Sequence, residues 1–250
     1  MRIPIIAGNW KMNKTVDEAV AFVKEIKDQL PPAAQLQTAL AAPTLCLMPM
    51  MRAAAGSPLK LMAENCFYKN AGAYTGETSP FALYQAGIHH VILGHSERRK
   101  YFHEDDGLIN KKVKAALDNG LCPIVCCDDT MGRRIAKDDK VHWVVGRILA
   151  DLKGLSTNDI RKVTVAYEPS WAIGSGQSAD PDQAEEGCYL IRQTISDMYG
   201  DTVADDVRIL YGGSVTPENT SALMATADID GVLVGADSLD AKTFLEIVNH

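Results

Sequence analysis

A glutamate closing one apolar run, a histidine behind a second and a lysine four residues past a third are the side chains in this sequence best suited to proton transfer. Glu168 follows Val163-Thr164-Val165-Ala166-Tyr167 and precedes Pro169, which breaks a strand. A strand-end carboxylate is usually just solvated. Here, however, Pro169-Ser170-Trp171-Ala172-Ile173-Gly174-Ser175-Gly176 sets an apolar tip between proline and glycine, a composition suited to a lid that excludes water. A carboxylate under a lid fits a general base. His95 follows Val91-Ile92-Leu93-Gly94 and opens Ser96-Glu97-Arg98-Arg99. If that run is helical, its positive end disfavours imidazolium and leaves a neutral hydrogen-bond donor. Lys11, just beyond Pro4–Ala7, supplies positive charge. Gly212-Gly213-Ser214 and Gly235-Ala236-Asp237-Ser238 each follow an apolar run and offer backbone N–H groups to an anion.

These groups need a scaffold that collects strand ends. Eight short apolar runs alternate with helical patterns: Pro4–Ala7, Thr38–Ala42, Lys60–Ala63, His90–Leu93, Cys122–Cys126, Val163–Tyr167, Arg208–Tyr211 and Gly231–Val234. Several are apolar throughout, as strands of a parallel sheet covered on both faces must be. Thr15-Val16-Asp17-Glu18 is a capping box leading into a stripe of Ala19, Phe22, Val23, Ile26 and Leu30. Asp180-Pro181-Asp182-Gln183 caps another helix, whose stripe is Cys188, Ile191, Ile195 and Met198. Lys111–Leu117 and Trp143–Leu152 are further amphipathic segments. An open doubly wound sheet would often carry a G-x-G-x-x-G turn after its first strand; here that strand runs into Gly8-Asn9-Trp10-Lys11. The expected architecture is a single α/β domain over residues 1–250, a (β/α)8 barrel of eight parallel strands with outer helices. In a barrel, the C-terminal strand ends share one mouth, which gathers Asn9, Lys11, Asn65, His95, Ser96, Glu97, Cys126, Glu168 and the two glycine turns.

Composition narrows the partners. A net charge of −7 argues against a broad nucleic-acid footprint and requires any anion site to be locally positive. The six cysteines show no metal-ligand spacing and read as reduced thiols, so no metal is expected. The apolar opening Ile3–Ala7 is too short for a signal peptide, and no run approaches the roughly 18 apolar residues of a membrane span. A cytoplasmic protein without a membrane partner is expected.

The segments Gly8-Asn9-Trp10-Lys11-Met12-Asn13, Gly94-His95-Ser96-Glu97-Arg98-Arg99, Ala166-Tyr167-Glu168-Pro169 with Trp171-Ala172-Ile173-Gly174, and Tyr211-Gly212-Gly213-Ser214-Val215 closely resemble the triosephosphate isomerase family. Gly72-Ala73-Tyr74-Thr75-Gly76-Glu77 is similar to that family's dimer loop. The resemblance implies interconversion of dihydroxyacetone phosphate and glyceraldehyde 3-phosphate through an enediolate, in glycolysis and gluconeogenesis, by a homodimer that uses no cofactor. It implies Glu168 as the base, His95 as the electrophile, and Lys11 and Asn9 at the developing oxyanion. The N–H groups of Gly174, Ser214, Gly235 and Ala236 would hold phosphate. Glu97 would support Lys11, Cys126 would support the mouth, and Thr75 would reach the partner's site. Ser170, Ser175 and Gln177 depart from the family's lid, Ala236 from its second glycine, and Cys127-Asp128-Asp129 from its usual Ile-Gly-Glu.

Without the resemblance, the residues reach only a phosphate-binding barrel with an acid/base pair. A larger sugar phosphate remains an alternative substrate. A silent binding barrel is a third reading, opposed by the presence together of Glu168, His95 and Lys11.

Overall fold

The computed structural model describes residues 2–128, 137–169 and 179–250, with the side chains of residues 137–140 excluded. Eight strands close into one parallel barrel in chain order. They are β1 (Ile5–Asn9), β2 (Gln37–Ala42), β3 (Lys60–Ala63), β4 (His90–Leu93), β5 (Cys122–Asp128), β6 (Thr164–Glu168), β7 (Arg208–Tyr211) and β8 (Gly231–Val234). The helices that surround them begin with α1 (Val16–Ile26), α2 (Thr44–Ala53), α3 (Pro80–Gln85), α4 (Ser96–Phe102) and α5 (Asp106–Asp118). They continue with α6 (Lys137–Asp151), α7 (Thr157–Ile160), α8 (Pro181–Tyr199), α9 (Asp201–Ala204), α10 (Pro217–Met224) and α11 (Ala241–Val248). A 3-10 turn, η1 (Ala236–Ser238), follows β8.

Strand alternation divides the core in two. One side of each strand fills the barrel with small and medium residues, among them Ala7, Ala39, Ala41, Met62, Ile92, Ile124, Cys126, Ala166, Leu210 and Leu233. The other side meets the helices, where Trp10, Phe22, Leu40, Val125, Tyr167, Ile191, Tyr211 and Phe244 form the larger apolar layer. Alanines inside and bulky residues outside suit a closed sheet whose interior is narrower than its exterior. Cys126 and Cys127 illustrate the rule, the first inside the barrel and the second against the helices.

The caps form as the sequence dictates. The Thr15 hydroxyl accepts from the Glu18 N–H while Glu18 accepts from the Thr15 N–H at 2.7 Å, and α1 buries Ala19, Phe22, Val23 and Ile26. Asp180 and Gln183 repeat the reciprocal bonds at the start of α8, with Pro181 in its first turn.

Most strands match the expected runs within a residue, but β1 reaches two residues farther than Ala7 and β5 two residues farther than Cys126. A carboxylate at a buried strand end is unfavourable alone. Asp128 is accommodated because Arg147 Nε of α6 lies 3.2 Å and Arg99 Nε of α4 lies 3.6 Å from its Oδ1. In register, Asp128 stands opposite Glu168.

Candidate active site

Each chemical side chain is placed by the end of a strand. Asn9 is the last residue of β1 and 5 % exposed. The chain then turns through Lys11 at φ 56°, in the left-handed region that a side chain adopts only at a cost of about 1–3 kcal/mol. The Asn9 carboxamide oxygen accepts the Lys11 N–H at 3.4 Å, and the Lys11 ammonium donates to Glu97 Oε1 at 2.8 Å. The expected Lys11–Glu97 pairing is present.

Gly94, at φ +71°, swings the chain from β4 into α4, and His95 becomes the N-cap of that helix. Its Nδ1 accepts the Glu97 N–H at 3.2 Å. A ring nitrogen that accepts carries no proton, so the neutral ring presents its N–H at Nε2. Glu97 Oε2 lies 3.6 Å from Nδ1, beyond hydrogen-bond reach. The helix start thus fixes the tautomer as well as the position.

Glu168 ends β6 with no exposed surface. Its Oε2 accepts the Ser96 N–H at 3.0 Å, and its Oε1 lies 3.0 Å from His95 Nε2. That second approach is proximity rather than an aligned bond, since Oε1 has no hydrogen-bond partner among the described residues. The neighbouring Cys126 thiol is pushed well above its ordinary pKa, first by complete burial and then by the Glu168 charge. Cys126 therefore remains an uncharged packing group beside the carboxylate.

Asn9, Lys11, His95 and Glu168 line a cavity of about 420 Å³ together with Asn13, the Gly212–Thr216 turn and the Gly235–Asp237 turn. A Cβ on Gly212 would meet Glu168 Cγ at 3.2 Å, so glycine leaves room for the carboxylate. The Trp10 indole donates to the Ser238 carbonyl at 2.9 Å and pins η1 to the end of β1. Ser214 is fixed through the Asn219 amide, which donates to its carbonyl at 3.1 Å. The turns carrying Ser214, Gly235 and Ala236 consequently face the same space as the acid/base pair.

Gly174 and the departures at Ser170, Ser175, Gln177 and Asp129 lie outside the described residues. Thr75 is exposed, in a loop away from the cavity lining. Asn65 serves the scaffold instead, because its carboxamide oxygen accepts from the Lys112 ammonium at 2.9 Å. Sequence reasoning missed three groups. The Ser96 N–H has no side-chain identity to read. Asp237 stood in the glycine turn but was read as part of its backbone. Glu64, directly after β3, is half-buried, its Oε1 has no partner among the described residues, and its pKa is raised to about 8. Burial is the main cause and the Glu97 charge adds to it, against the Lys11 N–H and ammonium.

The model of the family described as triosephosphate isomerase matches residues 4–250. Triosephosphate isomerase of Lactiplantibacillus plantarum is 54 % identical over 250 residues, covering 100 % of this chain and 99 % of that protein. The Lactobacillus delbrueckii subsp. lactis protein of the same name is 51 % identical over 249 residues, with 100 % and 98 % covered. That of Ligilactobacillus salivarius is 49 % identical over 250 residues, with 100 % and 99 % covered.

Proposed function

The chain belongs to the triosephosphate isomerase family, and from that premise we propose how its own residues carry the reaction. The enzyme interconverts dihydroxyacetone phosphate and D-glyceraldehyde 3-phosphate by proton transfer through an enediolate. One observation supports the residue roles above the rest: Glu168 Oε1 and His95 Nε2 lie 3.0 Å apart on the wall of the cavity that Lys11 enters.

Glu168 leaves the Ser96 N–H and takes a proton from the substrate carbon beside the carbonyl. The C–H electron pair forms the carbon–carbon double bond, and the carbonyl pair moves onto oxygen. His95 Nε2–H and the Lys11 ammonium stabilise that oxygen, with Asn9 beside them. The hydroxyl proton must then cross from one oxygen to the other, and His95 Nε2, the N–H bearing nitrogen, serves both. Glu168 returns its proton to the neighbouring carbon, so the reaction consumes and releases nothing. The N–H groups of Ser214, Gly235 and Ala236 hold the phosphate, and the family resemblance assigns the Gly174 N–H to the same task.

The whole chain acts as one domain, in glycolysis and gluconeogenesis, in the cytoplasm. Among the described residues no helix is long and apolar enough to cross a membrane. We assign a homodimer in which the loop bearing Thr75 docks near the partner's Asn9 and His95. Support comes from exposed apolar side chains on both sides of that contact: Met12, next to Lys11, is 96 % exposed, and Tyr74, next to Thr75, is 42 % exposed.

Assay with glyceraldehyde 3-phosphate tests the roles. Glu168→Gln should lower kcat at least about 10²-fold while leaving phosphate binding intact, the loss expected when a positioned base is removed. Near-normal turnover in that variant would remove Glu168 from the reaction.

A further inference from the structure

We propose that Asp237 is a specificity-determining residue that restrains the site's affinity for dianionic phosphate, by setting a carboxylate beside the turns that receive it. The proposal rests on the phosphate-site reading above. Asp237 is the middle residue of η1 and lines the same cavity as Lys11, Ser214 and Gly235. It is adjacent in sequence to Ala236, whose N–H is assigned to phosphate. Among the described residues no hydrogen bond or ion pair engages its carboxylate, and the Lys11 ammonium across the cavity is already paired with Glu97.

Two negative groups therefore contend for one region of positive backbone potential. Asp237 follows Ala236 directly and lines the cavity with Ser214 and Gly235, so a phosphate held by those N–H groups lies close to its carboxylate. The surroundings do not neutralise it. Partial burial and the Glu218 carboxylate, one residue into α10, both hold the Asp237 proton more tightly than usual. Of the other elements packed on η1, β1 contributes no charged side chain. On α11, Lys242 and Glu246 lie 3.8 Å apart, and the Asp240 cap is committed to the Thr243 N–H. Repulsion between Asp237 and a dianion is thus screened mainly by solvent, which leaves an effect of moderate size.

Three variants and inorganic phosphate as a competitive probe test this. Asp237→Asn and Asp237→Ala should each lower the KM for glyceraldehyde 3-phosphate and the Ki for inorganic phosphate about three- to tenfold, with kcat changing far less. Asp237→Glu keeps the charge and should retain the KM of the parent enzyme. The ratio of parent to Asn-variant KM cancels the pH dependence that both enzymes share. That ratio should shrink as pH falls into the carboxylate range and as salt rises. Unchanged or increased KM and Ki in both neutral variants would overturn the proposal. Should inorganic phosphate fail to compete in the parent enzyme, the phosphate-site reading itself falls, a result separable from a normal Ki that ignores residue 237.

Discussion

Glu64 is held where its charge is unwelcome, and the consequence appears as a pH dependence of stability. Its folded pKa of about 8 lies above the ordinary 4.5. Between those values the native protein binds a proton that the unfolded chain has released, so unfolding free energy falls as pH rises from about 4.5 to 8 and levels off above. Glu64→Gln removes the titration and keeps the hydrogen-bonding shape. We expect a gain of about 2 kcal/mol above pH 8, seen in a thermal melt as roughly 4–8 °C in Tm. The gain should fade toward pH 5; a constant difference across that range would assign the effect to packing instead. At this scale the sequence was informative where chemistry coincides with strand ends. Lys11, His95 and Glu168 are legible because an apolar run stops just before them. Glu64 occupies an equivalent position, yet its environment depends on the Lys11 turn folding back over it, a contact between segments 53 residues apart in the chain.

The elements were legible in type and order, with errors concentrated at their ends. The capping boxes at Thr15 and Asp180 could be read because they are local chemistry, completed within four residues. Asp180→Ala removes the acceptor for the Gln183 N–H, at 2.8 Å, and should cost about 1 kcal/mol, or about 2–4 °C in a thermal melt. An unchanged melt would mean that packing alone holds the start of α8. The extension of β5 was illegible for the opposite reason. Aspartate is a poor strand residue by propensity, and only side chains from α4 and α6 make Asp128 tolerable there. The same group of charges joins Arg99 to Asp151 at 2.6 Å and to the Cys126 carbonyl at 3.2 Å. Burial raises the Asp151 pKa to about 7 against the pull of Arg99. No local window of sequence contains that five-residue set.

At the scale of the molecule, eight alternations of apolar run and helix, with no glycine-rich nucleotide turn after the first strand, sufficed to expect closure. What could not be read was the shape of the cavity, since its width depends on residues from five parts of the barrel, at the ends of β1, β4, β6, β7 and β8, meeting at once. Subunit pairing belongs to this scale as well. Thr75→Arg should weaken association and activity together, measured by sedimentation velocity and assay at matched concentrations. A fully active monomer would separate the site from the dimer.

The seam between β1 and β8 joins the ends of a long circuit. The Trp10 indole reaches Ser238 across 228 positions, the Ile5 N–H reaches the Asp230 carbonyl, and Arg2 reaches the Asp230 carboxylate at 2.5 Å. During translation, β1 therefore keeps an unsatisfied flank until the ribosome has delivered nearly the whole chain. A nascent fragment can stack its early units, but it exposes a sticky strand that invites chaperones or misassembly. The reaction centre, which draws on that same junction, becomes available only when the circuit shuts.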